Sequence, residues 1–162
     1  MTSYRLSPKS RLAIDRLIAL QTKTLGETLR EAGLVSSWQI ESALQNRIQY
    51  PNLRIGEILA RQNIIKPETA NFFVEDWSKI VIAPEKDAIG YYLQQAAILD
   101  RAQVEAILAE QRETRVRFGT IAVFQGLLKS TTLDFFLANL YPQEVQVSPF
   151  IDMHRGSSLF KI

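Results

Sequence analysis

Four glycines recur at the same place in four similar stretches of the chain, and their spacing is the first sign of a binding role. Each lies near the start of a segment with helical periodicity, where glycine costs about 1 kcal/mol relative to alanine. A penalty repeated four times is explained if the backbone must come close to a neighbouring helix or to a ligand. These residues are Gly26, Gly56, Gly90 and Gly119, at spacings of 30, 34 and 29 residues.

The residue types needed for catalysis are scarce. The 162 residues include no cysteine, which excludes disulfides, thiol catalysis and thiolate metal sites. The single histidine, His154, stands without cysteine or a carboxylate cluster, so we do not expect it to bind a metal. No nucleophile, base and acid form a set, and Gly126–Ser130 lacks the glycine that a phosphate-binding loop needs before its lysine. The sequence therefore predicts a binding protein, not an enzyme.

Charge and hydropathy narrow the class of partner. Nineteen Lys and Arg face seventeen Asp and Glu, and a net charge of +2 is small for a charge-driven nucleic-acid binder. No apolar run is long enough to span a membrane, and the first residues lack the apolar core of a signal peptide. We expect a cytoplasmic protein whose 46% apolar content suffices for a buried core.

Each glycine opens the same local pattern, which is typical of a helix, a tight turn and a second helix. Two apolar residues follow the turn, and apolar positions four apart then mark one helical face. Ser36 with Gln39 and Asp100 with Gln103 have the spacing of capping boxes at the second helix. Glycine or asparagine suits the left-handed turn and alanine does not. The residues at the turn are Gly33, Asn63, Ala97 and Gly126.

The pattern predicts an all-α fold of repeated helical hairpins in two similar halves. Pro84 should end any helix at the joint, and Lys79–Ile82 is expected to form a short strand or a buried connector. The predicted parts are a basic N-terminal helix at 1–23, a first half at 24–77, a joint at 78–87, a second half at 88–140 and an irregular tail at 141–162.

The four segments follow the motif R-L-G-x-x-L-x-x-x-G-L-I-x-x-x-x-L-x-x-A-L-x-x-Q, as in TLGETLREAGLV and RIGEILARQNII. Over about residues 24–140 they resemble the cyclic di-GMP-binding module of type II secretion and type IV pilus ATPases, the MshEN domain. The chain is most similar to small free-standing cyanobacterial cyclic di-GMP receptor proteins. The resemblance implies a non-catalytic receptor whose ligand is cyclic di-GMP and which needs no cofactor.

The resemblance also implies which residues bind the ligand. Arginine can donate two bonds to guanine, and an adjacent glycine lets the backbone approach a flat base. The leading arginine is replaced by Thr24 and Ala88 in two segments, and the closing glutamine by Arg47, Trp77 and Leu140 in three. The implied residues are Leu25, Gly26, Leu29, Arg47, Arg54, Ile55, Gly56, Leu59, Gly90, Gln111, Arg117 and Gly119, with Arg5, Arg11 and Arg16 as phosphate contacts.

Two other functions remain open on the sequence. The resemblance implies a regulatory protein partner such as a transcription factor, and a homodimer is compatible with the chain. Stacked hairpins also suit a protein-interaction scaffold that binds no nucleotide. Helix–turn–helix DNA binding has the right topology, but the second helices SWQIESALQNR and PETANFFVEDW are poor in lysine. We therefore expect no direct nucleic-acid binding and no membrane partner.

Overall fold

The structure is a computed structural model that describes residues 7, 8, 10, 11, 14, 15 and 18 and the continuous range 23–143. Every regular element in these residues is helical, which confirms the predicted all-α class. Residues 8, 10, 11, 14, 15 and 18 are also helical. The elements are α1 (Leu25–Glu31), α2 (Ser37–Asn46), α3 (Ile55–Arg61), α4 (Pro67–Asn71), a π-helical turn (Phe72–Asp76), α5 (Trp77–Ile82), α6 (Ile89–Gln95), α7 (Arg101–Thr114), α8 (Phe118–Phe124) and α9 (Ser130–Leu140).

The elements follow one order in four stretches, which we call hairpin 1 (α1 and α2), hairpin 2 (α3 to α5), hairpin 3 (α6 and α7) and hairpin 4 (α8 and α9). The first helix of each hairpin has seven residues. The turn residue has a left-handed backbone in every one, with φ of 69° at Gly33, 56° at Asn63, 53° at Ala97 and 72° at Gly126. The next amide bonds back across the turn, as from Leu34 to the Leu29 carbonyl at 3.0 Å. This is the bond that closes a Schellman C-terminus.

Ala97 adopts the left-handed conformation that its side chain disfavours, so it is a point of backbone strain. We expect Ala97→Gly to raise the free energy of unfolding by about 0.5–1 kcal/mol. A left-handed L-residue costs about 1 kcal/mol, and the larger conformational entropy of glycine in the unfolded chain offsets part of the gain. Urea denaturation monitored by circular dichroism measures the change. Gly126→Ala is the matched control, since a Cβ there would meet nothing within 4 Å, and it should lose a similar amount. Equal stability of all three proteins would contradict the strain.

Of the two alternatives for Lys79–Ile82, the short strand is wrong, because these residues lie in α5. Four apolar or long side chains in a row do not distinguish a strand from a buried helix. Here the helix of hairpin 2 continues through the π-helical turn, so Val81 is buried while Ile82 is 50% exposed. Ala83 is the C-cap and Pro84 follows it, in agreement with the predicted end of the helix.

The four recurring glycines are all buried where helices come close. A Cβ added at Gly26 would lie 3.3 Å from Ile40, one at Gly56 3.2 Å from Ala70, and one at Gly119 2.5 Å from Leu133. Each of these partners is on the longer arm of the same hairpin. At Gly90 the added atom would lie 2.9 Å from the Phe118 ring on α8. Helices therefore approach each other closely at all four glycines.

Two pairs of hydrogen bonds, which we call the crossed contacts, join the hairpins in reciprocal fashion. Thr69 at the start of α4 donates to the Ala96 carbonyl at 2.7 Å, and Lys66 donates to Ala97 at 3.1 Å. Thr132 at the start of α9 donates to the Ala32 carbonyl at 2.7 Å, and Lys129 donates to Gly33 at 3.1 Å. Hairpin 2 therefore caps the end of hairpin 3's first helix, and hairpin 4 caps that of hairpin 1. Carbonyls without an intrahelical partner are satisfied in this way.

An aromatic cluster of residues from hairpins 2 and 4 lies close to the crossed contacts in the sequence. Phe72 stacks on Phe136 with ring centroids 6.4 Å apart, and Trp77 stacks on Phe135 at 5.0 Å. Phe73 packs edge-on against Phe136 at 6.2 Å. All five rings are buried, so hairpins 2 and 4 share one core.

None of the helices in the described part of the chain has the length and apolar character needed to cross a bilayer.

Candidate functional site

The residues expected to bind a ligand divide between the core and the surface. The glycines, Leu29 and Leu59 are buried, while Leu25, Ile55 and Gln111 are half-buried. The structure brings Leu25 close to Gly56, where an added Cβ would lie 3.0 Å from the leucine. Arg5 and Arg16 lie outside the described residues. The exposed members of the set are Arg11, Arg47, Arg54 and Arg117.

Arg54 and Arg117 occupy the same place in their hairpins, as the N-cap residues of α3 and α8. Neither side chain caps its helix, and the Arg54 backbone amide instead donates to the Glu57 carboxylate at 2.6 Å. Within the described residues, neither guanidinium forms an ion pair. Both cations are therefore available to an anion from solution.

Thr24 takes this place in hairpin 1 and acts as a helix cap. Its hydroxyl accepts from the Glu27 amide at 3.3 Å, and its own amide donates to the Glu27 carboxylate at 2.8 Å. The bond from the Thr24 backbone lowers the pKa of Glu27, with a further contribution from its hydroxyl. A lowered pKa in the folded state means that this bond stabilises the protein at neutral pH and is lost as the pH falls through that value. This position of hairpin 1 therefore holds a capping threonine, where hairpins 2 and 4 have an arginine.

Trp77 stands where the motif closes with glutamine, and it cannot offer a polar group to a ligand at the surface. The side chain is 3% exposed and belongs to the aromatic cluster. Its indole nitrogen has no hydrogen-bond partner among the described residues. The contribution of Trp77 is therefore to the core.

A groove between the end of α2 and the end of α3 is a site that the sequence analysis missed. Its volume is about 380 Å³, within the range of pockets that hold small ligands. The Arg61 guanidinium lies over the Tyr50 ring at 5.2 Å from the centroid, a cation–π contact. We call it the α2–α3 groove, and its lining residues are Asn46, Gln49, Tyr50, Ile58, Arg61 and Gln62.

The lining gives the groove a definite chemistry. Three carboxamides supply both donors and acceptors, and the guanidinium supplies donors in a planar fork. No carboxylate lines it, so its charge is positive. Such a set suits a flat, polar ring that carries both kinds of hydrogen-bonding group. The signal in the sequence is the run of asparagine, glutamine and tyrosine between the two hairpins, which a search for the motif alone does not reveal.

Hairpins 3 and 4 have a different surface at the corresponding place. Gln125 is the C-cap of α8 as Gln62 is that of α3, but its side chain donates to the Glu110 carboxylate of α7. Phe124 takes the place of Arg61 as the last residue of its helix and is 92% exposed. This surface carries a carboxylate and lacks the guanidinium.

The described residues contain no group of His, Cys, Asp and Glu that could hold a metal ion. His154 lies outside them.

The chain is similar to an uncharacterised protein of the cyanobacterium Picosynechococcus sp., with 37% identity over 121 residues. The matched region covers 75% of this chain and 66% of the relative, so the chain spans slightly less than two thirds of the relative's length. No protein-family model matches the chain. No solved structure is significantly similar to it.

Proposed function

We propose that this protein is a non-catalytic, cytoplasmic receptor for cyclic di-GMP that regulates a protein partner when the nucleotide binds. One observation supports it most directly. Arg54 and Arg117 occupy the matched positions that the motif assigns to its leading arginine, and both guanidinium groups are exposed without an ion-pair partner among the described residues.

The chemistry of the ligand fits this arrangement. Cyclic di-GMP carries two phosphates and two guanines, and arginine binds both groups through paired hydrogen bonds. A buried glycine follows two residues after each arginine, and its lack of a side chain lets the neighbouring helix approach the backbone there. Each arginine therefore projects from the N-cap of a packed helix, whose backbone need not reorder when a ligand binds.

Regulation requires a surface that a partner can recognise in only one state. The described surface carries large apolar side chains that no other described element covers, among them Trp38 at 74%, Ile48 at 86% and Phe124 at 92% exposure. Tryptophan and phenylalanine are among the residue types enriched at protein interfaces. A nucleotide shifts such an association only through different affinities for the two states. A transcription factor is the partner class that we propose.

Isothermal titration with cyclic di-GMP tests the proposal. We expect Arg54→Ala to weaken binding about ten- to a hundredfold, because a charge-assisted hydrogen bond contributes about 1.5–3 kcal/mol. Helicity should stay unchanged, since the guanidinium makes no cap. Arg101→Ala is the matched control, because this exposed arginine pairs with Glu105 at 2.8 Å. No heat from the wild-type protein at micromolar nucleotide would overturn the function.

The exposed apolar side chains also favour a second candidate, a helical scaffold that binds its partner without nucleotide. A partner captured equally well with and without cyclic di-GMP would establish this function in place of the first. Binding to DNA that falls steeply with salt would instead indicate a nucleic-acid-binding protein.

A further inference from the structure

We propose that the α2–α3 groove binds a guanine base, so that recognition of the base is concentrated in the first half of the chain; this inference rests on the proposed receptor function and names its base site. None of the residues that line the groove belongs to the motif positions considered above. The inference therefore depends on the groove's own geometry.

Arg61 is positioned to read the base. The Arg61 guanidinium carbon lies 5.2 Å from the centroid of the Tyr50 ring, and a guanidinium kept near a ring by this contact loses less freedom when a ligand binds. Its fork can donate to both O6 and N7 of guanine. Adenine presents an amino donor where guanine presents O6, so the same fork would meet a donor. The groove should therefore select guanine over adenine.

The three carboxamides complement the rest of the base. Guanine also carries donors at N1 and at its exocyclic amino group, and Asn46, Gln49 and Gln62 each provide a carbonyl oxygen that can accept from them. Ile58 lies beneath the groove and is 2% exposed, whereas Tyr50 is 43% exposed. A planar ring can stack on such an exposed aromatic face. The donors and acceptors of guanine therefore match those of the groove lining, and no cofactor is needed between them.

The corresponding surface of the second half lacks these features. Phe124 replaces the arginine, so the donor fork is missing. Gln125 is bound to Glu110, and the carboxylate would repel the phosphates of a nucleotide. The two halves share their hairpin geometry but differ in this surface, which assigns the base to the first half.

The test is a titration of the wild type and three variants with cyclic di-GMP and with cyclic di-AMP. We expect Arg61→Ala to weaken cyclic di-GMP binding about tenfold or more, as is typical for the loss of a bidentate contact to guanine. Phe124→Ala, at the matched position of the second half, should bind as the wild type does. Arg61→Lys keeps the charge and the aliphatic stem, loses the fork, and should also bind weakly; it replaces Arg61→Ala if that variant does not fold.

The outcomes separate the two proposals. A wild-type protein that binds cyclic di-GMP while Arg61→Ala and Arg61→Lys bind equally well would overturn the groove and leave the receptor function standing. Binding of cyclic di-AMP with equal affinity would also overturn the groove as a guanine site. A wild-type protein that binds neither nucleotide would overturn the receptor function, and this base site with it.

Discussion

We expect Thr132→Val to lower the free energy of unfolding by about 1–3 kcal/mol, which is the cost of leaving a buried carbonyl without its donor. The Thr132 hydroxyl is 2.7 Å from the Ala32 carbonyl, and the side chain is 1% exposed. Valine keeps the shape and removes the bond. Thr69→Val should lose a similar amount, because its bond to Ala96 has the same length and the side chain is 4% exposed. Thermal and urea denaturation of each variant would measure both effects.

Thr132→Ser is the control for this pair of variants, since it keeps the hydroxyl and loses only a methyl group. Its stability should lie closer to the wild type than to Thr132→Val. Equal losses for serine and valine would mean that the methyl group, not the hydrogen bond, stabilises the contact.

Gly56→Ala should lower the free energy of unfolding, because the added methyl group costs about 1–3 kcal/mol of packing in a dense core. The new Cβ would lie 3.2 Å from the Ala70 Cβ and 3.0 Å from Leu25. The Ala70 Cβ is fixed to its backbone and cannot rotate away, so α3 and α4 must separate. This loss should exceed the gain of about 1 kcal/mol that alanine brings to a helix.

Gly26→Ala is the matched substitution in hairpin 1. The nearest atom is the Ile40 Cγ2 at 3.3 Å, which is farther away than the atoms at 3.0 and 3.2 Å that an alanine at Gly56 would meet. Helix propensity should therefore balance the closer contact, and the free energy of unfolding should change little. If Gly56→Ala is as stable as Gly26→Ala, tight packing does not explain the glycine, and the case for a ligand at that position becomes stronger.

The helices and the turns between them could be predicted because the signals that set them are local. The left-handed turn and the second helix that follows it depend on residues within one segment, and even Ala97 follows the pattern in spite of its side chain. A strand was wrongly predicted at residues 79–82, because a short apolar run shows neither the periodicity of a helix nor that of a strand. Their helix is set by the aromatic cluster that α5 joins through Trp77.

The crossed contacts could have been found in the sequence from a second, longer period. Lys66-Pro-Glu-Thr-Ala-Asn-Phe-Phe73 and Lys129-Ser-Thr-Thr-Leu-Asp-Phe-Phe136 share a lysine, a threonine and two phenylalanines at the same intervals. The capping boxes of Ser36 and Asp100 occupy this place in the other two hairpins. Local capping was recognised because it needs a partner three residues away. A threonine that caps a helix more than twenty residues distant has no partner nearby in the sequence, so only the longer period indicates it.

The α2–α3 groove could not be predicted for a related reason. Tyr50 lies between hairpins, and Arg61 ends α3, so nothing in the spacing joins them until the chain is folded. The nucleotide ligand and the division into halves at 78–87 stay predictions.

The crossed contacts have a consequence for the history of the chain. A polypeptide with hairpins 1 and 2 alone would carry both the carbonyls at the end of α1 and the lysine and threonine that begin α4. Two copies of such a short polypeptide could satisfy each other's helix ends by twofold symmetry, as an isologous dimer does. The present molecule has the arrangement of such a dimer joined into one chain. Joining the copies would also free them to differ, as Arg61 and Phe124 differ at matched positions of the present chain.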